Sequence, residues 1–348
     1  MCSDLIIAEL GETELISIIE KLVYKKTGKK LIQDDSFYFF NLHEHLKHIN
    51  SDTTIAFNSD MFVSSTDAPT QMSSFQMGRK SILMNLSDLI VKGLRPLGAM
   101  VSLGVPKQLK VEEFKMIIEG IVEYSMKYNL EYIGGDLNET NEIIINPTVF
   151  GISEKAKIIH RTGLKKGDYL VANGKFGLTG VGFDILLDPL KNLTEFSPYH
   201  RSIESVLSPG DLGEEAFYLS DNNLATSSID SSDGIAKSLH DLMIANSHLG
   251  VGFEVDFNAN LIDKEAIEYS KKFNKSLEDL IFNGGEEFIH LFTIDPKNYD
   301  AAQRTIFSNN GQIYKIGTVV STPKIYYVRN KKKHELDNLG FEHFKDAM

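Results

Sequence analysis

The sequence predicts an α/β (α+β) chain of two domains, on three observations. Apolar residues recur in alternating strand-like and helix-like patterns from end to end, which fits sheets covered by helices rather than an all-helix or all-strand protein. The 348 residues exceed what one typical core holds. The pattern restarts near residues 154–157, which divides the chain into domains 1–155 and 156–348.

Taken in order, residues 12–26 put Leu15, Ile16, Ile19, Leu22 and Val23 on one helical face, and Gly28 suits the cap. Residues 53–62 read as a strand. In 78–92, Ile82, Leu83, Leu86, Leu89 and Ile90 make an apolar stripe that Gly93 ends. A buried strand at 97–105 precedes a helix at 111–128 built on Phe114, Ile117, Ile118, Ile121 and Val122. Tyr132-Ile133 run into Gly134-Gly135-Asp136, and 143–152 is a β-branched strand. The second domain reads as strand 169–172, a glycine-rich loop, and helices near Phe183 and Glu214. A strand into Ile229, helix 235–245, strand 251–255, helix 277–282 and strand 288–294 follow. A helix after Pro296 and two closing strands complete it. Lys331-Lys332-Lys333 reads as a solvated hairpin tip.

The bulk properties narrow the function. A 42% hydrophobic and 24% charged content is that of a folded chain, not a disordered one. No run approaches the roughly 18 apolar residues of a membrane span. Met1-Cys2-Ser3-Asp4 lacks a secretory profile, and a single cysteine cannot close an internal disulfide. A cytoplasmic protein without a membrane partner is the expectation. The net charge of -12 argues against nucleic acid. It tolerates an anionic nucleotide only where cations intervene, as in a carboxylate site charged with magnesium. The plainer alternative is that the charge only aids solubility.

Short acidic-polar patches carry the chemistry. Carboxylates are hard oxygen ligands, suited to magnesium and through it to phosphate. Asp34-Asp35 must be compensated if buried, and otherwise make a turn. Asn58 and Asp60 share one side of a strand, as ligands or within a satisfied core network. Asn85 and Asp88 are neighbours on a helix face, solvated by default, though the face is short and free of Lys or Glu until Lys92, which favours an internal role. Gly134-Gly135-Asp136 after a strand allows close approach of a ligand to backbone amides, or makes a tight turn. Asp230-Ser231-Ser232-Asp233-Gly234 opens a helix, where a Ser or Asp cap and a phosphate site are compatible. Asn283-Gly284-Gly285-Glu286-Glu287 is a second double-glycine turn. Gly174, Gly177, Gly180 and Gly182 match neither a Walker A loop nor a dinucleotide fingerprint. Arg161 suits a bidentate phosphate contact or an ordinary surface position.

In this order the patches resemble the thiamine-monophosphate kinase family, closest to its archaeal form, within the aminoimidazole ribonucleotide synthetase-like superfamily. Ser65-Thr66-Asp67-Ala68-Pro69, Arg161-Thr162-Gly163, Gly167-Asp168 and Gly340-Phe341-Glu342-His343-Phe344 belong to the same likeness, which spans nearly the whole chain. The resemblance implies the two-domain fold of that superfamily, with the N-terminal sheet contributing to a homodimer interface and a C-terminal α/β domain. It implies transfer of the γ-phosphoryl of ATP to thiamine monophosphate with several magnesium ions, ATP lying at or between the domains. It assigns Asp35, Asn58, Ser59, Asp60, Asp88, Asp136, Asp230 and Asp233 to metal, and Gly135, Asp136, Arg161 and Ser232 to ATP. Asp67 and Glu286 go to the thiamine substrate, and Asp88, Asp136 and Arg161 to catalysis. The acceptor is an already ionised phosphate, so no strong base is needed, and many carboxylates with few bases suit the task.

The departures are Gln33 for Gly before the double Asp, Asn58 for Ser or Thr, and Glu287 for Asp. Ala172-Asn173 also replaces Val-Thr. Rival readings are selenophosphate synthetase, the hydrogenase-maturation dehydratase, aminoimidazole ribonucleotide synthetase itself, or a non-catalytic binder on the same fold. Cys2 lacks the setting of the first, and Lys345-Asp346-Ala347-Met348 lacks the cysteine tail of the second. Asn58-Ser59-Asp60-Met61 departs from the third, and a pure binder has no need of so many aspartates.

Overall fold

Residues 5–31 and 52–336 are described by the computed structural model. They separate into two units, Met1–Leu89 with Leu94–Ala156, and Ile90–Gly93 with Lys157–Met348. Both mix helices with a sheet, which is the fold class the patterning predicts.

In the first unit, α1 (Glu12–Thr27) ends at Gly28, whose φ of 71° lets its N–H reach the Tyr24 carbonyl. The sheet runs β1 (Thr53–Asn58), β5 (Ile144–Glu154), β3 (Arg95–Val105), β4 (Glu131–Glu139), with β2 (Phe62–Val63) also on β5. Only β3 and β4 are parallel. Helices α2 (Ser74–Ile90) and α3 (Val111–Lys127) supply the core through Ile82, Leu83, Leu86, Phe114, Ile117 and Ile121, all fully buried. They touch backbone to backbone. A Cβ on Gly78 would stand 2.2 Å from the Ile117 carbonyl oxygen, and one on Gly120 2.1 Å from that of Phe75. On β1 and β3 the sheet leaves Phe57 69% and Met100 48% exposed, with Ile55 beside them.

The second unit holds a seven-stranded sheet. Its order is β12 (Lys332–Glu335), β11 (Ile325–Arg329), β8 (Gly252–Asp256), β10 (Tyr314–Val320), β6 (Tyr169–Ala172), β9 (Ile289–Ile294), β7 (Ala225–Ser231). Only β11 and β8 pair in parallel. The helices are α4 (Leu178–Leu186), α5 (His200–Leu207), α6 (Glu215–Asp221), α7 (Ile235–Ala245), α8 (Lys264–Phe273), α9 (Leu277–Phe282) and α10 (Pro296–Ser308). Val181, Ile185, Leu239, Tyr269 and Ile281 meet Leu170, Phe253 and Leu291 of the sheet in one core.

Several elements depart from the patterning. The strand expected over 53–62 breaks after Asn58, and α5 and α8 have no counterpart in the sequence reading. The lysine run does lie at an exposed hairpin tip, shared between the turn and the strand after it. Asn330 and Lys331, at φ 51° and 63°, make a two-residue turn, and Lys332 and Lys333 begin β12.

Candidate active site

In the first unit the site is built around a buried amide. Helix α2 delivers Asn85 fully buried, which is the internal role that its short, lysine-free polar face favours rather than the solvated default. Its Oδ1 accepts the Asp60 N–H at 2.8 Å, and its Nδ2 donates to the carbonyls of Asp60 at 3.0 Å and Ser81 at 2.9 Å. One side chain thus takes over both ladder partners of Asp60, which is why the strand stops there. Asp88 stands one turn along the same helix. Asn58 links the carboxylates, donating Nδ2 to Asp88 Oδ2 at 3.0 Å and reaching Asp60 Oδ2 at 3.4 Å. Ser59 turns away. Its Oγ lies 3.2 Å from Asn146 Oδ1, 3.1 Å from the Pro147 carbonyl and 3.2 Å from Thr148 Oγ1.

Asp67 closes a helical turn, Ser64–Asp67, and its Oδ2 accepts the Val63 N–H at 2.6 Å. Its carbonyl accepts from Nζ of Lys80, a fully buried lysine that the sequence reading passed over. Asp136 lies inside β4, not after it, with its carboxylate exposed. Of the two glycines before it, Gly135 is required by the sheet, while Gly134 has open space on its Cβ side. A Cβ on Gly135, at φ 153°, would fall 1.8 Å from the Val101 carbonyl oxygen. This is where β3 and β4 slip register, between Ala99 and Met100.

The donors suit magnesium in kind. Among the described residues no three Asp, Glu, His or Cys side chains form a metal-sized group. Magnesium, however, is usually held by one or two carboxylates, with waters and substrate phosphates completing its shell. Asp60 and Asp88, gathered on one amide, fit that pattern. Asp35 lies outside the described residues, as do Asp34, Gln33 and residues 340–344.

The second unit brings three motif loops together. The Asn283–Glu287 loop lies along the Asp230–Gly234 loop, with the Glu286 N–H donating to the Ser232 carbonyl and the Phe288 N–H to that of Ser231. Glu286 and Phe288 both sit at positive φ, 59° and 50°. Bulky residues persist in that region only where their surroundings enforce it. Gly284 would meet the Gly180 backbone at 3.0 Å if it carried a Cβ. Glu287 joins the third loop. Its Oε1 accepts the Gly177 and Thr179 N–H groups, at 2.5 and 3.4 Å, and lies 3.2 Å from Thr179 Oγ1. It therefore caps α4, whose own N-cap, Gly177, has no side chain. Burial pushes the Glu287 carboxyl up to about 8, against the pull of those donors. Burial, with Lys92 nearby, lowers His290 to about 3, so it is a neutral imidazole and not a base in waiting.

Asp230 is buried inside β7, Ser232 is exposed, and Asp233 is half-buried. The residue capping α7 is Gly234 at φ 96°, without a side-chain cap, so the expectation of a Ser or Asp cap fails. Arg161 is exposed on a loop fastened by Asn246, another fully buried amide. Asn246 Nδ2 donates to the Arg161 carbonyl at 2.9 Å, and its Oδ1 accepts from the Gly163 and Leu164 N–H groups at 2.9 and 3.3 Å.

Known proteins match this arrangement along its length. Residues 34–153 match the family model of the AIR synthase related protein N-terminal domain. Thiamine-monophosphate kinase from Nitrosopumilus maritimus is 29% identical over 338 residues, covering 97% of this chain and 100% of that one. The enzyme of that name from Pyrococcus horikoshii is 30% identical over 331 residues, covering 94% and 95%. Among solved structures, AaThiL complexed with AMPPCP and TMP superposes with a TM-score of 0.70 at 23% identity, over 97% of this chain and 98% of that one. The hydrogenase maturation protein HypE from E. coli reaches 0.73 at 17% identity, over 93% and 98%, a likeness of fold alone. End-to-end identity at this level to kinases of one name, with the motif loops assembled as described, leaves one assignment: the chain belongs to the thiamine-monophosphate kinase family.

Proposed function

We propose that this protein transfers the γ-phosphoryl group of ATP directly, in line, to the phosphate of thiamine monophosphate. The products are thiamine diphosphate and ADP, and the step is the last of thiamine diphosphate biosynthesis. The observation that carries the reading is the pairing of Asp60 and Asp88 about Asn58, held in place by Asn85. Two carboxylates joined through one asparagine amide are hard oxygen ligands of the kind that magnesium takes. Relatives named for this activity, and the AaThiL complex with AMPPCP and TMP, support the two substrates.

Magnesium, when bound, screens the repulsion between the two phosphate groups. Asp60, Asp88 and Asp136 would hold it in the first unit, with Asn58 and Asp35, and Asp230 and Asp233 in the second; Ser59, whose hydroxyl is engaged with Asn146, Pro147 and Thr148, would contribute only by leaving those partners. Arg161 and Ser232 would orient ATP, with the Gly135 backbone beside Asp136. Asp67 and Glu286 would meet the thiamine substrate. The acceptor oxygen is ionised at neutral pH, so these residues need only position charge and exclude water.

A homodimer belongs to the same proposal. The exposed apolar residues Ile55, Phe57 and Met100 support it, since a second copy of the sheet would cover them. So does a cytoplasmic setting, with the domain division at 155/156. No helix among the described residues is long and apolar enough to cross a membrane. Incubation with ATP, magnesium and thiamine monophosphate, followed by phosphorus NMR, tests the reaction. Thiamine diphosphate with ADP is the expected outcome. AMP with orthophosphate would refute it and favour selenophosphate-type chemistry.

A further inference from the structure

Helix α2 grips the segment after β1 at two points. Asn85 binds the Asp60 backbone, and earlier in the same helix Lys80 donates Nζ to the Asp67 carbonyl at 2.6 Å. Lys80 is fully buried, with Nζ 5.8 Å from the centroid of the buried Phe62 ring. A lysine is almost never enclosed so completely unless its charge is used.

The other end of the Ser64–Asp67 turn is held from the opposite side. Glu142, on the loop between β4 and β5, accepts the Ser65 N–H on Oε2 at 2.9 Å, with Ser64 Oγ at 3.4 Å. The Ile143 carbonyl accepts the Ser64 N–H at 2.9 Å. Phe62 and Val63 pair with Ile145 and Ile144, so the register of β2 on β5 brings Glu142 to the turn. Hydrogen bonds from Ser65 and Ser64 hold the Glu142 carboxyl below the usual carboxylate range. A lone helical turn leaves N–H groups at its start and carbonyls at its end without partners. Here an anion meets the first and a cation the second, the sense that the peptide dipoles favour. Asp67 itself spends Oδ2 on the Val63 N–H, and its Oδ1 is not used by the turn.

We propose that Lys80 and Glu142 are positioning residues that brace the Ser64–Asp67 turn against α2, so that Asp67 meets the acceptor at a set distance from the Asp60–Asp88 pair. One helix then spaces both groups, through Asn85 at Asp60 and Lys80 at Asp67. The inference rests on thiamine monophosphate being the acceptor and on Asp67 meeting it. Neither Lys80 nor Glu142 belongs to the motifs that mark the site.

The test sets Glu142→Ala against Glu142→Gln, with Lys80→Met as a second variant and Lys107→Met, at an exposed position outside the brace, as control. The KM for thiamine monophosphate should rise about tenfold in E142A and K80M, the scale of a small misplacement. E142Q keeps an acceptor for the Ser65 N–H and should recover most of the loss. The KM for ATP and the magnesium needed for half-saturation should not move, and K107M should match the parent. An unchanged acceptor KM in E142A, in a parent that makes thiamine diphosphate, overturns the brace and leaves the reaction standing. A rise shared equally by the ATP KM also overturns it, because general loosening of the unit would do the same. If the parent makes no thiamine diphosphate, the reaction fails and hydrogen exchange still decides the brace. Exchange of the Val63 and Ser65 amides about tenfold faster in E142A, restored in E142Q, supports it, and unchanged exchange overturns it.

Discussion

Asn85→Ala is the substitution that most directly probes how the first acidic cluster is held. The side chain is fully buried and meets both the N–H and the carbonyl of Asp60. Truncation leaves those two backbone groups without their partners, at about 1–3 kcal/mol each while they stay dry. Asp60 is half-buried, so water recovers part of this, and a net loss of about 2–4 kcal/mol is expected. Urea unfolding would read it as a lower midpoint at unchanged slope. Turnover should need about tenfold more magnesium for half-saturation, because Asp60 is no longer fixed beside Asp88. Asn85→Asp separates hydrogen bonding from packing. It keeps the shape and one acceptor but turns an anionic oxygen onto the Asp60 and Ser81 carbonyls, so it should be at least as damaging as Ala. Stability within about 0.5 kcal/mol of the parent, with an unaltered magnesium dependence, would refute the clamp.

Asp88→Ala and Asp136→Ala should each lower turnover by on the order of a thousandfold, with an unchanged circular dichroism spectrum. Near-normal activity in either would remove that residue from the metal set. Glu287 holds its proton in the folded chain up to about pH 8 and loses it near 4.5 when unfolded. Its stabilising contribution is therefore complete below pH 4.5 and is lost as pH rises through 8. Glu287→Gln should lose less stability than the parent between those limits, and equal slopes in thermal melts across the range would contradict the protonated cap. Phe57→Lys places a charge on the exposed apolar sheet face and should shift a dimer towards monomer in analytical ultracentrifugation. A parent that sediments as a monomer would dismiss the interface.

The fold is legible in the sequence where one periodicity governs a whole element. The helix at Ile235–Ala245 and the shorter one at Leu277–Phe282 have the bounds expected, and α1 runs one residue past 26 before its glycine cap. Buried polar residues are less legible. Asn85, Lys80 and Asn246 sit on or beside helices, and a polar side chain there reads as solvated unless its partners are known. Those partners, Asp60, Asp67 and Arg161, lie 13 to 85 residues away in the chain. The Gly134-Gly135 pair was legible as a need for backbone space, and at Gly135 a neighbour that needs it is Val101. Helix α5 is short and follows a 3-10 segment containing Pro198, a composition that signals a loop.

Asn85 and Asn246 are the same device used twice. In each unit a motif loop leaves the regular ladder, and its peptide groups lose their strand partners. In each a buried asparagine offers a donor and an acceptor to that loop from one rigid amide. The loop's backbone is then satisfied without using the motif side chains, and this is what leaves the Arg161 side chain free to face solvent. A fixed charge stabilises a developing charge only if it does not have to move to do so. The residues that anchor the loops are thus as necessary to the proposed chemistry as the aspartates. They escape motif reading because their role is to bind backbone, which has no sequence signature.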